Sequence, residues 1–319
     1  MKIQSTIALM SLTLLLLSCN HKDLDFGDQA SVAVNFDWSA CPEASPEAMR
    51  VAVFSDNSQT LFFPFTGSQG GSVGLYKGYT YSFVGYNSDT EAIYTNGSEY
   101  GTFEFCCMPI ELAAFSPMFA SRRAGETQAP RAMGTESYEI VSEPDPLWYS
   151  TAKDVAIRGS QTIDMTMHSA ICNYTFKVLN VDNMSNVVNI VATISGFSQS
   201  FNPVEGRCSQ TYCIMPFEMK ATGENELQGT LRTFGYFPTD AELIDAKKML
   251  VIYVELADSR KLYYTFDVTE DINKVESSPG STDLEITLKQ LPIPKPFYNG
   301  SGLHPTVDGW QEVEVSIDL

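Results

Sequence analysis

The stretch Ser31-Val32-Ala33-Val34-Asn35-Phe36-Asp37-Trp38 sets Val32, Val34, Phe36 and Trp38 on one side of an extended chain and smaller or polar residues on the other. A period of two marks a strand with one buried face, because successive side chains of extended backbone point to opposite sides. The rhythm recurs outward from there. Val51 and Val53 begin a second strand, Tyr79, Tyr81 and Phe83 a third, and apolar runs follow at 161–167, 172–181, 187–197, 231–237, 249–256, 262–268 and 284–291. Clusters of Asn, Asp, Gly and Ser separate them, and Gly67, Gly70, Gly71 and Gly74 punctuate an early hairpin. Only 239–247, which Thr239 or Asp240 can cap, and 269–275 read as helices, both too short to alternate with strands as in an α/β fold. The chain is expected to be mostly β, with the strand spacing of β-sandwiches.

The N-terminus reads as an address. Lys2 supplies a positive start, and Thr6 to Leu17 is an apolar run of twelve residues, short of the about 20 that a spanning helix needs. Leu16, Leu17, Ser18 and Cys19 form a lipobox: a small residue at the cut, then a cysteine whose thiol takes a diacylglycerol. With acyl chains contributing about 0.8 kcal/mol per buried methylene, a multiply acylated Cys19 holds a chain on a membrane without a spanning segment. Residues 1–18 are expected to be a lipoprotein signal peptide and 19–28 a tether. Asp23, Asp25 and Asp28 in that tether resemble an acidic export signal for surface display.

Beyond the leader, the chain is long enough for two domains of ordinary size. Glu143, Pro144, Asp145 and Pro146 interrupt the strand pattern ahead of Leu147, Trp148 and Tyr149, which places a boundary there. The expected division is a first β-sandwich over 29–148 and a second over 149–319. Upstream, 121–134 (SRRAGETQAPRAMG) has little apolar content and reads as a surface loop, with Arg122 and Arg123 a solvated basic doublet. The formal charge of −19 becomes more negative once Lys2 is removed, and such a polyanion is repelled by nucleic acid and by anionic membrane surfaces.

Six cysteines follow Cys19. Cys208 and Cys213 are spaced for a bridge across a tight hairpin, a closure contributing about 2 kcal/mol in the chain-entropy model. Cys106 and Cys107 are neighbours on one strand and point to opposite faces, which leaves them unpaired. Cys41 and Cys172 have no evident partner. With no CxxC pair and only His21, His168 and His304, the sequence supports no metal site.

Catalytic patterns are missing: no GxSxG elbow, Walker loop or HExxH pair occurs. Asn87, Asp89 and Glu91 mimic the start of a calcium loop, but Ala92 replaces its glycine and Ser98 its terminal glutamate. Asp283 and Glu285 share a strand face suited to solvent and give no specific support for glycosidase chemistry. No enzyme activity and no cofactor are expected. Trp148 and Tyr149 fall where a sugar ring could stack, with core or domain-interface packing as the competing role.

At the far end, Val313, Val315, Ile317 and Leu319 share one strand face while Glu312, Glu314, Ser316 and Asp318 share the other. Burying the four aliphatics is worth about 6 to 12 kcal/mol as an upper bound. This strand either closes its own sandwich or inserts into another subunit by strand addition. The extended LPIPKPF passage at 291–297 leads into it.

The lipobox followed by Asn20-His21-Lys22, the strand ending Phe36-Asp37-Trp38, the GYNSDTEAIY block (85–94), the DPLWYS block (145–150) and the closing PTVDGWQEVEVSIDL together resemble Bacteroidales outer-membrane lipoproteins related to minor fimbrial anchor subunits. The resemblance covers nearly the whole mature chain, on structural motifs and no catalytic ones. It implies two transthyretin-like, antiparallel β-sandwiches in tandem, lipid-anchored at the cell outer membrane. It also implies fimbrial subunits as partners, held by strand exchange. Stalk subunits of that group are cut after an arginine near their first strand, whereas Arg122 and Arg123 lie in mid-domain. The expected function is that of a surface-exposed fimbrial anchor, minor subunit or adhesin; the alternative is a glycan-binding surface lipoprotein.

Overall fold

The alternation becomes layered sheets in a computed structural model that describes residues 28–55, 60–120, 128–237, 246–275, 280, 283–296 and 309–313. In chain order the strands are β1 (Gln29–Asp37), β2 (Ala48–Ser55), β3 (Thr60–Thr66), β4 (Gly70–Tyr76), β5 (Thr80–Asn87), β6 (Ile93–Asn96) and β7 (Glu104–Cys107). Helix α1 (Leu112–Phe115) precedes β8 (Glu139–Ile140), β9 (Trp148–Ala156), β10 (Gln161–Thr166), β11 (His168–Ser169), β12 (Cys172–Val178) and β13 (Val187–Ser198). Then come β14 (Ser200–Asn202), β15 (Arg207–Cys208), β16 (Tyr212–Glu218), β17 (Lys220–Gly223), β18 (Glu226–Thr233), β19 (Met249–Leu256) and β20 (Lys261–Asp267). Helix α2 (Thr269–Asn273), β21 (Asp283–Leu288) and β22 (Trp310–Glu312) complete the described chain. Cys19, the tether as far as Gly27, Arg122, Arg123, most of the expected 239–247 helix, and Val315, Ile317 and Leu319 lie outside the described residues.

The first sandwich faces a three-stranded sheet (β10-β1-β4) against a five-stranded one (β11-β9-β5-β2-β3). Its core interleaves Val32, Val34 and Phe36 of β1 with Met49, Val51 and Val53 of β2 and Tyr81 and Phe83 of β5, and Trp38 packs half-buried at the rim. The opposite face of β5 carries Val84 and Tyr86 into the second core, so this strand is covered on both sides and loses its alternation.

The second sandwich sets a four-stranded sheet (β17-β18-β12-β21) on a six-stranded one (β22-β20-β19-β13-β16-β8). Phe176 and Phe217, 5.1 Å apart between ring centroids, are among the residues that fill the space between. The chain passes from β16 into β17 with only Met219 between them, so one run of backbone changes sheets. Gly229 on β18 lies under that crossing: a Cβ there would stand 2.8 Å from the Glu218 carbonyl oxygen and 2.7 Å from the Phe217 ring. A fifth, smaller sheet (β15-β14-β7-β6) joins the two halves, with Phe103 against Phe54, Phe105 against Tyr86, and Phe201 against Tyr149.

Mostly β architecture holds, with three differences from the expected pattern. Most strand pairs are antiparallel, but β1/β10, β12/β21, β16/β8 and β20/β22 are parallel. For β10 the reason is direct: β9 ends at the same end of the sandwich where β1 starts, and the turn after it sends β10 back alongside β1. Second, a division at 148/149 would cut β9 from β5 and β10 from β1, so the first sandwich runs on to Thr166, while β7 and β8 pair with β14 and β16 of the second half. Pro144 and Pro146 mark a crossing between sheets instead of a domain end. Third, the expected loop at 121–134 is packed where described: Ala132 is buried on the outer face of the six-stranded sheet, and Pro130 O accepts from Tyr253 Oη at 2.7 Å.

Candidate functional site

β22 is the outermost strand of the six-stranded sheet, held to β20 over three residues from Trp310 to Glu312. Val313 N–H donates to Tyr263 O at 3.0 Å, and Tyr263 Oη donates to Glu312 Oε2 at 3.0 Å. Partial burial, with the neighbouring Glu312 carboxylate, raises the Tyr263 phenol above its ordinary value. The Trp310 ring stacks on Phe119 at 6.0 Å, meets Tyr253 edge-on at 5.3 Å and lies under Lys261 Nζ at 5.4 Å. One aromatic side chain thus fastens the start of the terminal strand to the outer face of its own sheet. Val313 packs half-buried against the second core.

Trp148 and Tyr149 are used inside the protein. Trp148 meets Trp38 edge-on at 6.1 Å on the first core, and Tyr149 meets Phe201 at 5.1 Å in the seam between sandwiches, its phenol raised by burial. Their backbone belongs to a central strand that the prolines before it did not forbid.

The expected Cys208–Cys213 bridge is not formed: both are buried thiols. Cys208 Sγ donates to Phe234 O at 3.0 Å and Cys213 Sγ to Phe197 O at 3.4 Å, so each is satisfied separately. Their strands β15 and β16 belong to different sheets, which sequence spacing does not reveal. Cys106 and Cys107 are unbridged, and burial pushes Cys106 up to about 11. Cys107 is held well above its ordinary value, first by burial and then by nearby thiols.

The carboxylates weighed above have structural duties. Asp89 accepts from Glu47 N–H at 2.8 Å, and Asp145 Oδ2 accepts from Ala92 N–H at 2.7 Å. Asp283 and Glu285 lie on an exposed strand face, Glu285 paired with Lys177 at 2.6 Å. Among the described residues, no group of three or more His, Cys, Asp or Glu is placed to hold a metal ion.

Sequence reasoning missed a trough at the edge of the second sandwich. A cavity of about 570 Å³ lies between β16 and β18, and a second of about 510 Å³ adjoins it; Phe115, Glu218 and Lys220 line both. Phe115 comes from α1, in the excursion between β7 and β8, so the trough's ring and its strands are distant in sequence. β8 pairs with β16 only at Cys213 and Ile214. Because Ile214 O accepts from Val141 N–H, alternation aims the backbone of Pro216 outward too. Proline on an outward register loses nothing to its own sheet and offers a partner strand no N–H. The trough's charges are matched, Glu218 with Lys220 at 2.8 Å and Glu143 with Arg232 at 2.6 Å.

Comparison with known proteins adds the following. A family model described as a domain of unknown function (DUF5119) matches residues 18–218. No curated protein matches. A solved structure described as a candidate adhesin of Bacteroides ovatus superposes with a TM-score of 0.59 at 22% identity, covering 94% of this chain and 98% of that one. Candidate polysaccharide-binding proteins (DUF1812) of Bacteroides thetaiotaomicron give 0.48 at 12% identity, covering 83% and 91%. The fimbrial anchor protein Mfa2 of Porphyromonas gingivalis gives 0.47 at 13%, covering 82% and 90%. At these identities the similarity is one of fold.

Proposed function

The chain belongs to the family of the domain of unknown function DUF5119, and from that premise we propose that it is a non-enzymatic cell-surface protein, lipid-anchored through Cys19 at the outer membrane. It acts as a fimbrial anchor, minor subunit or adhesin and touches its partner through the terminal strand. The observation that carries this reading is the placement of β22: three residues hold it at the sheet edge, and the aliphatic alternation of Val313, Val315, Ile317 and Leu319 begins where that pairing is last seen. A strand fixed at its start and placed at an edge is suited to pairing with a second chain. The adhesin description of the Bacteroides ovatus protein agrees with this role. The mechanism is mechanical, with sheet hydrogen bonds and buried aliphatics resisting pulling and acyl chains holding the base.

Crosslinking in native cells, followed by mass spectrometry, tests the contact. A fimbrial or other surface subunit trapped at 310–319 is the expected result. Unchanged crosslinks in a chain that lacks 314–319 yet still folds would remove the terminal strand from the contact. Labelling of cells with an alkyne fatty acid, and its loss in Cys19→Ser, tests the anchor.

A second reading, glycan binding, is favoured by the trough at Phe115. Its half-buried ring, matched charges and Pro216-blocked edge suit a neutral hydroxylated ligand better than a partner strand. Binding on a glycan array that is lost in Phe115→Ala would support it, and an array without hits would remove it.

A further inference from the structure

Exposed apolar side chains in the first sandwich gather at one end. Of the nine large hydrophobic side chains most exposed among the described residues, Tyr76 (54%), Tyr79 (50%), Phe62 (48%) and Leu61 (42%) lie at or within two residues of a single set of turns. Strand register places their backbones at one end, with Leu61 and Phe62, neighbours on β3, on opposite faces of the five-stranded sheet. Gln29 is opposite Tyr76, Ser55 opposite Tyr81, Thr60 opposite Phe54, and Thr80 opposite Ala156. The start of β1, the β4–β5 turn, the start of β3 and the β9–β10 turn therefore share one end. The β4–β5 turn is fixed there: Lys77 N–H donates to Asp28 O at 2.7 Å, Gly78 N–H to Ile157 O at 2.7 Å, and Ile157 N–H to Tyr79 O at 2.9 Å. The two tyrosine rings meet edge-on at 6.5 Å with their sides open to solvent.

This is also the end at which the chain arrives from Cys19. Asp28, hydrogen-bonded to the turn itself, stands nine residues after that cysteine, and nine residues reach at most about 30 Å. Among the described residues, exposed Lys77, Lys153 and Arg158 share this end with Asp28, Glu99 and Asp154, while Asp23, Asp25 and Asp56 lie outside the described residues. Tyrosines with an apolar body and a polar tip settle at the headgroup level of bilayers, and a short tether raises the local concentration enough for a weak contact to persist.

We propose that the end of the first sandwich formed by Leu61, Phe62, Tyr76 and Tyr79 is a lipid seat, which rests on the bilayer interface beside the acylated Cys19 and fixes the orientation of the protein on the membrane. The seat depends on the anchoring reading above, so its test supplies the anchor chemically. The mature chain with Cys41→Ser, the more exposed of the other thiols, is coupled through Cys19 to a maleimide-headgroup lipid in phosphatidylethanolamine/phosphatidylglycerol nanodiscs. Hydroxyl-radical footprinting then compares coupled and uncoupled protein. Oxidation at Leu61, Phe62, Tyr76 and Tyr79 is expected to fall at least threefold on coupling, while Met133 and Val188, exposed elsewhere, stay unchanged. The variant Tyr76→Ser/Tyr79→Ser, which alters only open rings, is expected to keep its urea midpoint and restore oxidation at Leu61. Equal oxidation in both states, protection at Val188 in place of the four, or concentration-dependent protection in the uncoupled chain, the mark of a second copy, would each overturn the seat. Absence of fatty-acid labelling in cells would overturn natural anchoring and leave the coupled result standing.

Discussion

The side-chain oxygen of Asn87 accepts the backbone N–H of Trp148 at 2.8 Å, while its amide nitrogen donates to Pro146 O at 3.0 Å and Asp89 Oδ1 at 2.9 Å. One buried amide thus ties the GYNSDTEAIY block to the DPLWYS block, and Asp145 repeats the tie by accepting from Glu91 and Ala92 N–H. Asn87 and Asp89 of the first block and Asp145 of the second are used in this knot, which fixes where the chain re-enters the first sandwich.

Asn87→Ala removes all three bonds and leaves the Trp148 N–H and Pro146 C=O without that partner. Unsatisfied buried groups cost about 1–3 kcal/mol each, less where water enters, so a loss of about 2–4 kcal/mol is expected. A lowered urea midpoint at unchanged slope reads it out; a midpoint within error of the parent would show that the knot contributes nothing.

Gly229 predicts a steric effect of a different kind. The added methyl of Gly229→Ala meets the Glu218 carbonyl oxygen at 2.8 Å where β16 crosses into β17, and overpacking of this sort costs about 1–3 kcal/mol. Gly101→Ala, with nothing within 4 Å of the new Cβ, is expected to stay within about 0.5 kcal/mol. Thermal unfolding of the two variants side by side checks the contrast.

The sequence was most readable where a strand has one wet face. The β1 face of Val32, Val34 and Phe36 is buried as its alternation implies. Strands covered on both sides, such as β5 and β19, show apolar runs without telling which layer covers them. Proline was read as a boundary at 144 and 146, where it marks a crossover, because a break in periodicity is local while sheet membership is decided by distant partners. The trough could not be foreseen for the same reason: Phe115 meets Glu218 and Lys220 only through tertiary packing. Close spacing of Cys208 and Cys213 suggested a bridge, whereas β15 and β16 belong to different sheets and each thiol bonds a separate carbonyl.

Alkaline pH should loosen the fold through two buried acids. Burial raises Cys106 from about 9 to about 11 and Tyr253 from about 10 to about 12. A folded-state value above the unfolded one means the native state retains its proton longer. The associated stability is intact below about pH 9 and is lost as pH climbs towards 11 for Cys106, and between 10 and 12 for Tyr253. Urea midpoints are expected to fall from pH 9 upward, less steeply in Tyr253→Phe. Native protein at pH 8 should yield no fast thiol reaction from Cys106, Cys107, Cys208 or Cys213, and nonreducing peptide mapping should find no link between Cys208 and Cys213.

The terminal strand gives the most direct link between packing and role. Trp310 holds β22 by its contacts with Phe119, Tyr253 and Lys261, whereas backbone pairing to β20 covers three residues. Because the indole is half-buried, Trp310→Ala should cost about 1–3 kcal/mol, below the about 3–5 kcal/mol of a fully buried tryptophan. The second core, filled by Phe176, Phe217 and their neighbours, does not depend on it and should stay folded. What should change is the end of the chain: carboxypeptidase is expected to remove 311–313 several times faster in Trp310→Ala than in the parent, at equal overall protection of β19 and β20. Equal digestion rates would mean that the ring contacts do not fasten the strand. Faster digestion together with altered crosslinking at 310–319 in cells would tie this clasp to the contact the strand makes.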